Sequence, residues 1–445
     1  MNAVYTSPVT ANGDVRSVAR VAWPLVVSML SYTVNSVIDI LFVSSLGMDA
    51  VGAVGLAMTA GFAITCFGIG LLNGIKVLTA QAVGAGDDPR VSRLLEHGLV
   101  VALALGLVTM LLRFVSSPLL AFMSGEAEVG ALAASYFETR LLGVVPLFIG
   151  AASFAWLEGQ GDTRASMRVL VVANVLNVLL DVVLIFGLGP IPELGVQGAA
   201  AAAALTHTFQ GVVGLLLVAR RRRKMPTPIT RPEAAMAKEV LHVGLPMGVQ
   251  WSLEVMSFAL FATFISHAGK AHIAAHTIAV RLVSLSFLPG HALGEAACIL
   301  VGQAVGAGNP ALARRAVRSA TRFAVGVMGA LGLVFLLAGG PILGLFKPSA
   351  AVLALATQLL VIAAAFQVID AIAITRAGAL NGTGQTRRVM RVNVLSAWLI
   401  QAPGGWLAAI GLGLGAPGAW AVLTLHLAIV AALLGRMWSR TSRTW

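Results

Sequence analysis

At 445 residues the chain is 58% hydrophobic and only 11% charged, with a mean hydropathy of +0.90. A water-soluble fold of this size cannot hide that much apolar surface, which excludes a soluble enzyme or binding module. The formal net charge of +12 would suit nucleic acid, but the cations sit in short connections between apolar runs, the pattern of a membrane topology signal, so nucleic-acid binding is set aside.

About twelve spans of bilayer-crossing length are predicted, over approximately 18–44, 51–76, 94–117, 130–156, 167–189, 196–219, 240–266, 272–299, 314–338, 352–378, 389–412 and 416–436. The segment before Arg20 is polar and carries no cleavage signature, so the first span is expected to stay in the mature protein. Cations mark alternate connections: Arg90 and Arg93, Arg164 and Arg168, Arg220 through Lys224, Arg314 through Arg322, Arg387 through Arg391, and the tail from Arg436. The opposite connections hold Lys270 and Lys347 and little else. This asymmetry predicts that both termini and the middle connector are cytoplasmic. The predicted organisation is a first lobe over 1–219, a basic linker over 220–239 with Pro226, Pro228 and Pro232, and a second lobe over 240–445.

The lobes are copies. Gln81-Ala82-Val83-Gly84-Ala85-Gly86 returns 222 positions later as Gln303-Ala304-Val305-Gly306-Ala307-Gly308. Pro24 recurs as Pro246; Leu157, Gly159, Gly161, Thr163 and Arg164 recur as Leu380, Gly382, Gly384, Thr386 and Arg387; Gly195 and Gly198 recur as Gly415 and Gly418. Landmarks repeated in order mean one unit written twice. With an even number of spans per half, the copies share one orientation and are parallel repeats. The repeated Gly-Ala-Gly turn lacks the Lys-Ser/Thr of a phosphate cradle, so no nucleotide site is expected. Twin turns made mostly of Gly, Ala and Arg also supply no clustered catalytic side chains, and an enzyme is not expected. Pro24, Pro146, Pro246, Pro289 and Pro403 can each bend the span that holds them. Cys66 and Cys298 match no disulfide or metal spacing, and His272 with His276 lacks a third ligand, so no metal site is expected.

An ionised carboxylate at the membrane centre costs about 2.5–3.5 kcal/mol, so intramembrane acids are functional candidates by default. Asp39 lies four turns beyond Pro24. Asp181 and Asn177 are four residues apart, on one face of span 5. A carboxylate facing a second carboxylate, with an amide beside it, has the composition of a proton site; the same oxygens suit Na⁺, a hard cation. Tyr136 is a candidate hydrogen-bonding member. Glu254 and Asp370 are the acids of the second half, with Arg281 and Arg376 as their obvious partners. Glu138 and Arg140 are expected near the outer end of span 4, Arg140 as an exposed neighbour. Aromatic residues such as Phe42, Trp251 and Phe258 suit either packing or an apolar lining for a flat cation.

The tandem six-helix halves, the twin Gln-x-x-Gly-Ala-Gly turns and the pattern Pro24…Asp39-x-x-Phe42-Val43-x-x-Leu46-Gly47 resemble the multidrug and toxic compound extrusion (MATE) transporters. So do Glu158-Gly159-x-Gly161-Asp162-Thr163-Arg164 and Asn381-Gly382-x-Gly384-x-Thr386-Arg387. Asn177-x-x-x-Asp181 followed by Ile185-Phe186-Gly187 looks most like the DinF-like branch. The resemblance implies an all-α polytopic membrane protein whose two six-helix lobes surround a central cleft. It implies a monomeric antiporter, without cofactor, that exports a small organic molecule, cationic or amphipathic, in exchange for H⁺ or Na⁺. A flippase of lipid-linked or other lipid cargo is the alternative, and inward-pointing Arg140, Arg281 or Arg376 would favour it. The family's coupling-cation position falls on Asp39, and the acid pair of its sodium-coupled branch falls on Glu254 and Asp370, so both sets are present.

Overall fold

A computed structural model describes residues 13–225 and 233–444. The centre of the expected linker, with Pro226, Pro228 and Pro232, lies outside the described residues, as does the polar start up to residue 12. The described chain is helical and contains no strand. In order it forms α1 (Val15–Ser44), α2 (Met48–Gly84), α3 (Asp88–Met110), α4 (Arg113–Ser124), α5 (Ala127–Leu141), α6 (Val144–Gly159), α7 (Thr163–Phe186) and α8 (Gly195–Arg222). There follow α9 (Ala234–His267), α10 (Lys270–Gly306), α11 (Pro310–Gly344), α12 (Ala350–Gly382), α13 (Thr386–Ser396), α14 (Ala402–Trp406) and α15 (Gly415–Thr441). Two five-residue π-turns, Ala397–Gln401 and Leu407–Gly411, flank α14.

Among the described residues, eleven helical stretches are long and apolar enough to cross a bilayer, or twelve when α5 and α6 count as one bent span. That bend, of 48°, lies within the span expected over 130–156, one of those expected to bend at a proline. It falls at Leu142 and Gly143, where Gly143 lies so close to α8 that a Cβ would sit 2.7 Å from the Ala204 Cα. Pro146 stands in the first turn of α6, where a missing donor is tolerated. The span expected over 94–117 likewise breaks, between α3 and α4. In the second copy the matching stretches are the unbroken α11 and α12. Pro403 sits in the first turn of α14, directly after a π-turn; the wider ladder there relieves its clash with the carbonyl four residues back.

The duplication is written in the backbone. Gly86 (φ 68°) and Gly308 (φ 60°) take the left-handed conformation that ends α2 and α10. In each, the next residue's N–H bonds back five positions, Asp87 to Ala82 O at 3.0 Å and Asn309 to Ala304 O at 2.9 Å. Asp87 and Asn309 then cap α3 and α11 by accepting from the N–H groups of Arg90 and Leu312. The sixfold motif is therefore a helix-stop, helix-start hinge. Gly161 (φ 87°) with Gly384 (φ 83°), and Gly195 (φ 54°) with Gly415 (φ 59°), repeat the same economy.

Contacts divide the chain into two compact units. One holds the described residues of Pro24–Val83 and Asp87–Gly248; the other holds those of Ser7–Trp23, Gly84–Gly86 and Val249–Trp445. The division falls within α1 and α9, each beside its own proline, Pro24 and Pro246. In the first unit the opening turns of α9 lie on α2 through paired glycines. A Cβ on Gly74 would meet the Gly244 Cα at 2.7 Å, and one on Gly70 the Gly248 Cα at 2.8 Å. The indole of the fully buried Trp156 donates to Val91 O at 2.8 Å, tying α6 to α3. In the second unit Phe261, Ile265, Leu359, Leu360, Phe366 and Trp420 form one apolar cluster across α9, α12 and α15.

The α2–α9 contact is backbone against backbone and has no side chain that can yield. Gly74→Leu is expected to lower stability by at least about 2 kcal/mol, read as a fall in Tm of the detergent-solubilised protein. Gly340→Leu, at a position that faces open space, should leave Tm within a degree or so of the parent.

Candidate functional site

α1 and α7 meet along a polar seam. Ser31, Asn35 and Asp39 follow one another at helical spacing on α1, and Asn174, Asn177 and Asp181 do so on α7. The Asn174 amide donates to Ser31 Oγ at 2.8 Å. The Asn35 amide donates to Asn177 Oδ1 at 2.8 Å and to Asp39 Oδ2 at 3.1 Å. Matched numbers rise together on the two helices, so they run parallel, as spans of the same parity must. One turn beyond the acids, Phe42 and Phe186 close the seam edge to face, with centroids 5.8 Å apart.

The Asp39 and Asp181 carboxyls line the same small cavity. Two ionised carboxylates have no hydrogen to share, so a hydrogen bond between them would require one to be protonated. Asp181 is buried, and its Oδ2 accepts from no donor; Asn35 Oδ1 is a second buried acceptor without one. Asp39, Tyr136, Arg140 and Asp181 line one enclosed cavity, walled otherwise by Ile40, Val43, Val54, Met58, Ala199 and Ala203. Its free space is about 10 Å³, room for a single water-sized body and far too little for an organic molecule.

Arg140 is the correction that matters most. Sequence reasoning placed it at an exposed outer end, but it faces this cavity. Tyr136, one turn back on α5, lines the same cavity, so the two side chains share the face of α5 that turns inward. Its Nη1 donates to Tyr136 Oη at 3.2 Å, and no ion pair joins it to either carboxyl. Asn35, Ser31 and Asn174 were also missed. Their four-residue spacing from Asp39, and the matching pattern in α7, were the available signals.

Glu254 and Asp370 lie in the other unit, near enough to repel one another electrostatically. Glu254 Oε1 accepts from the Gln250 amide at 3.0 Å, one turn back on α9. The expected partners do not reach them: Arg281 faces outward on α10, and neither it nor Arg376 forms an ion pair with either acid. Gln367, three residues before Asp370 and fully buried, keeps an Oε1 with no donor. His272 and His276 serve structure. His272 Nδ1 accepts the Ala416 N–H at 3.1 Å, capping α15, and His276 Nδ1 accepts from the Trp420 indole at 3.0 Å. Among the described residues no group of three or more His, Cys, Asp or Glu is placed to hold a metal.

The architecture is that of a duplicated, multi-pass helical membrane protein with acids buried within its helices. The MatE family model matches residues 24–183 and 246–407, one match per repeat, and the chain belongs to that family. It is 32% identical to a probable multidrug resistance protein NorM of Rhizobium meliloti over 94% of this chain and 92% of that one. It is also 32% identical to a multidrug resistance protein NorM of Burkholderia vietnamiensis, with the same coverage. Among solved structures, a MATE in a bent conformation superposes with a TM-score of 0.90 over 99% of both chains at 23% identity. A MOP superfamily transporter from Pyrococcus furiosus, described as having a binding pocket of reversed polarity, superposes with a TM-score of 0.88 over 99% of both chains at 23% identity. At these identities the structures speak for the fold.

The histidine assignment is testable. His272→Ala should lower Tm through loss of the α15 cap, worth about 0.5–2 kcal/mol. Neither Zn²⁺ nor a chelator should move the Tm of the parent protein; a metal-dependent rise abolished in His272→Ala would show a ligand role instead.

Proposed function

We propose that the protein is a secondary antiporter that exports organic compounds, cationic or amphipathic, in exchange for H⁺ or Na⁺. The observation that carries this reading is the Asp39–Asp181 pair, with its unsatisfied acceptors in a cavity sized for a cation and not for a drug. Asn35 and Asn177 hold the two carboxyls in register, and Tyr136 holds Arg140. The multidrug resistance names of relatives at 32% identity support the cargo class. The glycine turns carry no phosphate cradle, so the driving force is an ion gradient. The chain works as a monomer in the cell membrane, with both termini and the basic connector on the cytoplasmic side, as the cation asymmetry supports.

In the proposed cycle a cation entering from outside binds between Asp39 and Asp181 and neutralises their repulsion. The closer contact of α1 with α7 bends α1 about Pro24, which favours release of cargo to the exterior. The cation shifts this equilibrium only by its difference in affinity for the two states. Glu254 and Asp370 contribute a second acidic site, for the ion or for a cationic cargo.

Arg140 supports a second reading, since a lipid exporter needs an inward cation to grip phosphate. Two carboxyls against one guanidinium leave the cavity acidic, and the antiporter reading fits that balance better. In inverted vesicles, Asp39→Asn and Asp181→Asn should each reduce ion-driven dye transport at least about a hundredfold, with normal insertion and Tm. Normal transport by both variants would sink the proposal. Loss in Arg140→Gln alone, with both Asp variants active, would turn it toward lipid cargo.

A further inference from the structure

The two units handle their charged ends in opposite ways. In the first, five cations are neutralised by carboxylates of the same chain. Lys76 pairs with Glu158 at 3.0 Å, Arg221 with Asp162 at 2.6 Å, Arg222 with Glu96 at 2.9 Å and Arg93 with Glu233 at 3.9 Å, and Arg90 pairs with Glu239. In the second, twelve arginines follow Val249, and all but Arg281 and Arg376 fall at the start of α11, the start of α13 and the end of α15. Only three acids follow Val249, and Glu254, Glu295 and Asp370 all lie well inside helices.

These three helix ends form one surface. Arg314 Nη1 donates to Ser442 O at 2.9 Å, and the Gln385 amide donates to Thr441 Oγ1 at 2.9 Å. Beneath them Ala313, Val317, Val389, Leu434 and Trp438 share one apolar cluster. Ser319 Oγ donates to Gly13 O at 3.0 Å, which brings in the neighbouring Asp14. Asp14 is committed elsewhere: the Ser17 N–H and Oγ bond it at 2.9 and 2.8 Å, starting α1 and holding its carboxyl below the usual carboxylate range. Arg318, Arg322, Arg387, Arg391, Arg436 and Arg440 are exposed, and among the described residues none of the six forms an ion pair.

A topology signal needs cations but does not need them unpaired, as the five ion pairs of the first unit demonstrate. So many like charges on one end repel one another unless something anionic lies among them. The guanidinium fork matches the paired oxygens of a phosphate, and helix ends of bilayer-spanning length stand at headgroup level. We propose that this end of the α10–α15 unit binds the headgroup phosphates of anionic phospholipids in the adjoining leaflet, the lipid acting as the counter-ion that the chain itself does not supply.

The test uses the full-length protein in nanodiscs of phosphatidylcholine, with and without phosphatidylglycerol as a minority lipid. Phosphatidylglycerol should raise Tm by at least about 2 °C, an increment that shrinks as salt is added. Arg318→Gln/Arg387→Gln/Arg440→Gln should lose at least half of that increment. Arg90→Gln/Arg221→Gln/Arg222→Gln, which removes the same charge from ion-paired positions of the first unit, should keep it. No increment in the parent, or equal loss in both triple variants, overturns the proposal. An equal increment from inorganic phosphate in pure phosphatidylcholine discs also overturns it, since the surface would then bind a soluble anion.

Discussion

Two carboxyl groups lining one small cavity inside an apolar helix bundle form the constraint on which the rest of the molecule turns. An ionised carboxylate is already expensive there, and a second beside it makes full ionisation of both untenable. The Asp39–Asp181 pair is flanked by a polar seam of serine and asparagine that joins α1 to α7. Arg140 approaches from α5 without pairing, held by Tyr136. Because the carboxyls sit on helices that must shift if one cargo-binding state gives way to another, occupancy of a cavity only one water wide can bias a much larger rearrangement.

The duplicated scaffold makes this site stand out. Glycine turns match between repeats in conformation and in hydrogen bonding, as Gly86 with Gly308 and Gly161 with Gly384 show. The chemistry does not match. The residue 222 positions after Asp39 is Phe261, fully buried in the apolar cluster of the second unit, and Lys76, which pairs with Glu158, has Cys298 as its counterpart. The breaks follow the same division: α5 and α6 are bent where α12 is continuous. The bent pair belongs to the repeat that holds the Asp39–Asp181 pair.

Much of this was legible in the sequence because the responsible residues admit few alternatives. A left-handed turn demands glycine, so the repeated Gly-Ala-Gly and Gly-x-Gly-x-Thr-Arg segments announced the hinges and the two halves. Buried acids are rare, which singled out Asp39, Asp181, Glu254 and Asp370. The amides were harder to read, because Asn35 and Asn174 look like any tolerated polar residue until a partner helix stands opposite. The inward position of Arg140 was not legible because the face of α5 it shares with Tyr136 is defined only once α1, α7 and α8 stand beside it. Whether Arg281 and Arg376 pair with the second-half acids was left open by the sequence for a related reason: it places charges in the same half but says nothing of which face of a helix each occupies.

The most direct test is to add cargo to the purified protein in weakly buffered detergent and follow ion release, with a pH dye for H⁺ and a sodium electrode for Na⁺. A transported cationic dye should displace about one cation per protein from the parent, and none from a variant in which both Asp39 and Asp181 are asparagine. Cargo that binds with undiminished affinity while releasing no cation from the parent, or the same release from the double variant, would contradict the account.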